Sequence, residues 1–135
     1  MNSCKELADK IRAAKRVYII GNGGSYANAM HIQNDLLSCG VKAFTMDPAT
    51  LTAFANDHGY SQAFYKWIST VGEPGDLLIA LSGSGRSPNI LIAVSQAVAM
   101  GMQVHKIYGA PRLGMQAAEE EQVAIGHELL KELRK

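Results

Sequence analysis

Cysteine is scarce in this sequence, which holds only Cys4 and Cys39 among its 135 residues. Their spacing fits neither a zinc-binding nor a redox motif, so we expect two reduced thiols and a cytoplasmic protein. Long apolar runs are missing too, since no stretch approaches the ~20 residues that cross a bilayer. The first residues, through Lys15, form a charged helical pattern unlike a secretory signal peptide. The sequence therefore predicts a protein with no membrane partner.

A strong charge of either sign is also missing. The 13 Lys and Arg residues nearly balance the 12 Asp and Glu residues, which leaves a formal net charge of +1. No basic run is present, and this argues against nucleic acid or an anionic membrane as a partner. No Gly-Lys pair occurs, so the lysine of a Walker A motif is absent and nucleoside triphosphate chemistry is disfavoured. The length and the 47% hydrophobic content suit one globular domain, residues 1–135.

Predicted strands and helices alternate along the chain. Short β-branched or apolar runs predict four strands, at Arg16–Ile20, Lys42–Met46, Leu77–Ser82 and Gln103–Tyr108. Amphipathic stretches with capping signals predict six helices, over Ser3–Lys15, Ser25–Ser38, Asp47–Gly59, Ser61–Val71, Pro88–Met100 and Met115–Arg134. This order is typical of parallel βαβ units, so we predict an α/β fold of three αβα layers with about four parallel strands.

Two loops that follow predicted strands have an unusual composition, and ligands of such folds bind beyond the carboxyl ends of strands. GNGGSY follows the first strand, and SGSGRSP, residues 82–88, follows the third; we name the second the serine loop. Its glycines, Gly83 and Gly85, let the backbone turn sharply and approach a ligand. Its hydroxyls, together with a helix N-terminus, can surround a phosphate: Ser82, Ser84 and Ser87. The alternative is that these serines are only turn and cap residues, and Ser25 has the same two interpretations.

Three stretches carry a resemblance to a known family: GNGGSYANAMH, FANDHGY and GDLLIALSGSGRSPNILIAVSQAVAMGM. They resemble the SIS (sugar isomerase) domain family, and within it the phosphoheptose isomerases, from about Val17 to Gly109. The resemblance implies a flavodoxin-like SIS architecture that is shortened at both ends. The long N-terminal helical arm of the family is mostly missing, and so is its strand between the Gly109 region and the last helix.

The resemblance implies roles for residues in the two loops. The serine loop would hold a sugar phosphate through Ser82, Ser84 and Ser87, with Gly83 where the family usually has a threonine. Further contacts with the substrate would come from the first loop and from an Asn-Asp pair: Asn22, Gly23, Gly24, Ser25, Asn56 and Asp57. His31 matches a zinc ligand. Asp35 stands where the family has a glutamate that is both a zinc ligand and the catalytic base.

The last helix of the family carries a glutamine and a histidine eight residues apart. If His127 is aligned with that histidine, Glu119 takes the place of the glutamine. If Gln122 is aligned with the glutamine instead, Leu130 takes the place of the histidine. The first alignment implies four metal ligands, His31, Asp35, His127 and Glu119, with Asp35 as catalytic base and His127 as catalytic acid.

The spacing of His31 and Asp35 agrees in part with that role, because residues four apart share one face of a helix. An imidazole and a carboxylate on one face can bind zinc when other elements supply more ligands. The same pair can also be a surface ion pair. The sequence has two other histidines. We expect His58 to be a loop residue and His105 a strand-face residue, and neither to be a metal ligand.

The function implied by the resemblance is isomerisation of sedoheptulose 7-phosphate to an aldoheptose 7-phosphate through an enediol, a step of bacterial surface-sugar (lipopolysaccharide) synthesis. The alternative is a non-catalytic sugar-phosphate-binding SIS module, such as a regulator that associates with the bacterial replication initiator. The resemblance also implies a homodimer or homotetramer. The first helix offers Leu7, Ile11 and Ala14 as an apolar stripe for such an assembly.

Overall fold

The computed structural model describes residues 2–109 and 114–135. Four parallel strands run through it, β1 (Val17–Ile20), β2 (Ala43–Thr45), β3 (Leu77–Ser82) and β4 (Gln103–Tyr108). Six helices alternate with them, α1 (Asn2–Ala13), α2 (Gly24–Ser38), α3 (Pro48–His58), α4 (Tyr60–Val71), α5 (Pro88–Ala99) and α6 (Met115–Leu133). The predicted element order and the α/β class are confirmed, with bounds that differ by a few residues. None of the helices among the described residues combines the length and apolar character of a membrane crossing.

The sheet has the strand order β2-β1-β3-β4, and every neighbouring pair is parallel. After β1 the chain adds β2 on one side, and it then returns to add β3 on the other side. The topological switch point therefore lies between β1 and β3, where loops from adjacent strands diverge and leave a crevice for a ligand. The two loops that the sequence singled out follow these two strands.

Helices cover both faces of the sheet, because strand side chains alternate between two cores. Along β1, Val17 and Ile19 pack with α1, α2 and α6, whereas Tyr18 and Ile20 pack with α3, α4 and α5. All six residues of β3 are buried, which is typical of a central parallel strand. The three predicted layers are therefore present.

The first helix is bound into the core of its own chain. Leu7 and Ile11 are only 1% and 3% exposed, and Ala14 packs beside them against the same core. The predicted stripe on this helix is therefore not available to a partner chain. The physical reason is that one face of the sheet needs α1 to cover it.

Candidate functional site

The β1–α2 loop and the serine loop are joined by a pair of side-chain amides. Asn22 donates from Nδ2 to Asn89 Oδ1 at 2.9 Å, and Asn89 donates back from Nδ2 to Asn22 Oδ1, also at 2.9 Å. Asn89 lies in the first turn of α5 and is only 4% exposed. The Tyr60 hydroxyl, at the start of α4, donates to the same Asn22 oxygen at 2.5 Å. Asn22 therefore fixes the positions of three elements around the switch point.

The hydroxyls of the serine loop are held close together by local hydrogen bonds. Ser82 Oγ accepts from the Gly85 backbone N–H at 3.0 Å and lies 3.2 Å from Ser87 Oγ. Ser84 Oγ accepts from the Arg86 backbone N–H at 3.0 Å. Gly85 has a φ of +70°, which favours glycine and allows this turn.

The structure separates the two interpretations of the serines only in part. Ser82 and Ser84 do stabilise the turn, as a purely structural role requires. Ser87 occupies the N-cap position of α5, but its side chain makes no capping hydrogen bond. The Ser84 hydroxyl can still donate its proton to a ligand while its oxygen accepts from the backbone, and so can whichever of Ser82 and Ser87 accepts in the hydrogen bond between them. The loop therefore retains donors for an anion, and its phosphate role stays a prediction.

A histidine–aspartate–histidine group lies farther along α2. His31, Asp35 and His127 each offer one ligand atom, and these three atoms lie within 4.8 Å of one another. His31 Nε2 is 3.4 Å from His127 Nε2 and 3.4 Å from Asp35 Oδ2. The sequence predicted all three residues as ligands, and α2 and α6 bring them together.

This group fits zinc on two observations. Zinc bonds of 2.0–2.1 Å in a tetrahedron place neighbouring ligand atoms about 3.3 Å apart, close to both separations from His31. Asp35 Oδ2 is buried and has no hydrogen-bond partner among the described residues, and its contact with His31 lacks hydrogen-bond geometry. A buried carboxylate oxygen without a donor is costly unless a cation or another ligand satisfies it. Three protein ligands leave the fourth position for water or substrate, as in catalytic zinc sites.

Glu119, the fourth predicted ligand, is not part of this group. Eight residues of helix separate it from His127, a rise of about 12 Å. Its carboxylate lies instead against Gly24 at the start of α2, where a Cβ would collide with it. A carboxylate is favourable there because the N-terminus of a helix carries partial positive charge. Glu119 thus faces the first loop, and its metal role stays a prediction.

Gln122 is a further functional candidate, which the second sequence alignment matched to the glutamine of the family. It is 1% exposed and lies between α6 and α2. Its Nε2 donates to Ser25 Oγ at 3.0 Å, and its Oε1 accepts from Asn28 Nδ2 at 2.9 Å. Ser25 is therefore not the predicted N-cap, since that position belongs to Gly23. Its hydroxyl faces α6.

The Asn-Asp pair lies in the last turn of α3. Asn56 and Asp57 are exposed and contact each other, with Asn56 Nδ2 3.3 Å from Asp57 Oδ1. They precede Tyr60, which reaches Asn22, so they lie on the chain segment beside the first loop. Tyr60 and Asn89 were missed by sequence reasoning. A polar residue next to Pro88, in the first turn of an otherwise apolar helix, was the available signal for Asn89.

His58 and His105 do not join the metal group. His58 ends α3, where its ring packs edge-on against Phe54 with centroids 6.0 Å apart. His105 lies on β4 with its Nδ1 3.3 Å from Lys10 Nζ. Burial lowers the pKa of His105 from its usual value, and the Lys10 cation lowers it further, while Glu6 opposes both. The neutral imidazole is therefore favoured, and the expectation of a strand-face residue is confirmed.

Comparison with known proteins identifies relatives for most of the chain. A family model described as "SIS domain" matches residues 2–109. A phosphoheptose isomerase from Sodalis glossinidius is 34% identical over 133 residues, which cover 93% of this chain and 69% of that protein. The chain spans between 53% and 69% of the length of the curated relatives that it matches.

Solved structures of similar proteins share the fold. A phosphoheptose isomerase from Francisella tularensis superposes with a TM-score of 0.87 and 27% identity, over 98% of this chain and 84% of that one. The enzyme of the same name from Neisseria gonorrhoeae gives a TM-score of 0.86 over 98% and 83% of the two chains, and its 24% identity supports the fold alone.

Proposed function

The chain belongs to the SIS domain family and to its phosphoheptose isomerase branch, and we propose that it isomerises sedoheptulose 7-phosphate to an aldoheptose 7-phosphate. The observation that carries this proposal is the spacing of two groups along α2. Ser25 lies in the first turn of α2, next to the loop that Asn22 joins to the start of α5, directly after the serine loop. His31 of the metal-binding group lies six residues farther along α2, a rise of about 9 Å. With carbon–carbon bonds of about 1.5 Å, the C2 carbon and the phosphorus of an extended heptose phosphate are separated by a similar distance.

The residues that would hold zinc are His31, Asp35 and His127, which supply two imidazoles and one carboxylate. Bound there, the metal would polarise the substrate carbonyl and stabilise negative charge on its oxygen. Glu119 is the remaining carboxylate near the first loop and would face the sugar rather than the metal.

The chain's own residues account for the rest of the chemistry. The serine loop and the N-terminus of α5 bind the phosphate, which places the reacting carbons in a fixed register at the other end of the substrate. Asp35, whose side chain is 17% exposed, removes the proton from C1 of the ketose with Oδ1, since Oδ2 is the oxygen next to His31 in the metal-binding group. A proton from water completes the enediol at the C2 oxygen. His127 then gives a proton to the C2 carbon, and the C1 hydroxyl loses its proton to form the aldehyde, so that two protons are released and two are taken up.

We further propose a homodimer or homotetramer in the cytoplasm. Support for assembly now comes from the outer helices and the sheet edges rather than from α1. Leu91 and Val98 on α5 are 41% and 62% exposed, and within residues 2–109 and 114–135 β4 pairs with β3 alone. The cysteines Cys4 and Cys39 are both free, which fits a reducing compartment. Light scattering that reports a monomer at micromolar concentration would contradict the assembly.

The isomerase is tested by supplying the wild-type chain with zinc and sedoheptulose 7-phosphate in deuterated water. NMR should show exchange of the proton at the reacting carbon and formation of the aldose. If neither exchange nor product forms, the enzyme proposal is overturned.

The second candidate, a non-catalytic sugar-phosphate-binding module, is favoured by one observation. Only three of the four predicted ligands gather, because Glu119 lies at Gly24. The same experiment distinguishes the two candidates, since a module would bind the sugar phosphate without exchanging its proton.

A further inference from the structure

The two helices that carry the metal-binding group run side by side in the same direction. Four contacts advance along both helices from their N-termini: Gly24 with Glu119, Asn28 with Gln122, and then, within one turn, Ile32 with Gly126 and His31 with His127. We name this contact the α2–α6 junction. A slip of one residue along either helix would move its side chains by about 1.5 Å and rotate them by about 100°. The 3.4 Å separation of the two imidazoles therefore depends on the register of the junction.

Apolar contacts in the junction bring the helices close but do not fix that register well. Gly126 lets α6 approach α2, since a Cβ there would lie 3.2 Å from Ile32 Cγ1. Ile32 and Leu129 are almost completely buried around this contact. The hydrophobic effect is non-directional, so such a surface tolerates a slip better than hydrogen bonds do.

Gln122 supplies the directional contacts. Both ends of its amide are used, with Ser25 as the acceptor of Nε2 and Asn28 as the donor to Oε1. Asn28 Nδ2 also donates to the Glu119 backbone carbonyl at 3.0 Å. Gln122 and Ser25 are 1% and 2% exposed, so water cannot replace these bonds without the helices parting. Setting a helix register is the best-attested use of a buried polar group.

We propose that Gln122 is a positioning residue that locks α2 and α6 in the register at which His31, Asp35 and His127 can share one metal ion. This inference rests on the proposed metal site, but it assigns a role to a residue that touches neither metal nor substrate. The lock joins residues near both ends of the site, because Ser25 lies at the first loop and Asn28 lies one turn before His31.

The test measures metal affinity and metal geometry rather than turnover. Zinc affinity is measured by competition with a chelator, and the visible absorption of the Co²⁺-substituted protein reports ligand geometry. Gln122→Leu keeps the volume but removes both hydrogen bonds, and we expect zinc affinity to fall about 10-fold to 100-fold, as when supporting partners of metal ligands are lost. The Co²⁺ spectrum should change as well.

Two further variants make the expectation sharper. Gln122→Glu can still accept from Asn28 and from the Ser25 hydroxyl, so it should recover part of the affinity. Asn28→Ala removes, from the other helix, the hydrogen bonds to Gln122 Oε1 and to the Glu119 carbonyl, and it should weaken zinc binding in the same direction. It provides the test if Gln122→Leu fails to fold.

Two controls separate positioning from general stability. Gln116→Leu changes an exposed glutamine of the same helix, and zinc affinity should not change. Ile68→Val removes a methyl group from the core on the other face of the sheet. It should lower the melting temperature without altering the Co²⁺ spectrum.

The outcomes distinguish this inference from the proposed function. A wild-type chain that binds neither zinc nor Co²⁺ would overturn the metal site and the lock together. A wild-type chain that binds zinc, with unchanged affinity and spectrum in Gln122→Leu and Asn28→Ala, would overturn the lock alone.

Discussion

The serine loop gathers its hydroxyls from residues five positions apart, whereas the α2–α6 junction joins histidines 96 positions apart. In the loop, the hydroxyl oxygens of Ser82 and Ser84 each accept from a backbone N–H two or three residues away, and Ser87 lies against Ser82. In the junction, the ligand group depends on how a helix from the end of the chain packs on one from its beginning. The first half of the site can therefore form wherever the strand and helix of one βαβ unit form, and the second half needs the completed fold.

The largest effect expected of any single substitution is the loss of turnover in Asp35→Asn, which changes the metal half of the site and leaves the phosphate half intact. It removes the proposed base and one metal ligand, and loss of a general base typically costs ~10²–10⁴-fold in rate. Affinity for the sugar phosphate should persist, because the serine loop is untouched. Steady-state kinetics combined with calorimetric binding of the substrate would check both parts.

The matched control for Asp35→Asn is Asn34→Ala, which changes the exposed neighbouring residue on the same helix. If Asp35→Asn lost phosphate affinity and turnover alike while Asn34→Ala behaved as wild type, the two halves of the site would not be separable.

The next largest effect should be a loss of sugar-phosphate affinity when the serine loop is changed. In a variant that combines Ser84→Ala with Ser87→Ala, two hydroxyl donors to a charged oxygen are lost. Hydrogen bonds to charged groups contribute ~1.5–3 kcal/mol each, so affinity for the sugar phosphate should fall at least ~100-fold. Zinc affinity should stay at the wild-type value.

The control for the serine pair changes two serines elsewhere, Ser69→Ala with Ser95→Ala, on the outer helices. An unaltered substrate affinity in the Ser84 and Ser87 variant would mean that these hydroxyls only shape the turn.

The same contrast decides how much could be predicted from sequence. Local features were predictable: β3 is an uninterrupted apolar run and is buried throughout, and Asp47 caps α3 through Thr50 N–H as its position before Pro48 indicated. Of the four ligands that the family resemblance implied, His31, Asp35 and His127 come together in the structure and Glu119 does not, and their binding of metal stays a prediction. Its geometry was not, because no periodicity in the charged α6 sequence shows which face meets α2.

Gln122 shows why the rest could not be predicted. Glutamine is mostly exposed in proteins, and its neighbours Glu119, Glu120 and Glu121 indicate a solvated face. Its burial is decided by Ser25, 97 residues earlier in the chain. The burial of Leu7 and Ile11 could not be predicted either. The sequence shows that α1 has an apolar stripe, but only the fold shows that this stripe covers one face of the sheet and is not exposed to a partner chain.

A smaller effect is expected for Asn89→Leu, which tests whether the two loops act as one unit. The change leaves the amide of Asn22 without its reciprocal partner, and an unsatisfied buried polar group costs ~1–3 kcal/mol. Urea unfolding should show that loss of stability, and substrate affinity should fall while zinc affinity is retained. The matched control is Asn34→Leu, which changes an exposed asparagine of α2 that is not a proposed substrate contact.

The smallest effect is expected for Gly126→Ala, at the point where α6 approaches α2 most closely. Alanine is a better helix former than glycine by about 1 kcal/mol, which favours the variant. The new methyl group, however, would lie 3.2 Å from Ile32 Cγ1, and Ile32 is only 3% exposed, so crowding costs a similar ~1–3 kcal/mol. The two effects nearly cancel in the free energy of unfolding, but the two helices must separate slightly.

Zinc affinity of Gly126→Ala should therefore fall, but by less than the roughly tenfold loss expected when a supporting partner of a metal ligand is removed. Substrate affinity should be unchanged. If Gly126→Ala instead bound the sugar phosphate more weakly and kept wild-type zinc affinity, the α2–α6 junction would not control the metal half of the site.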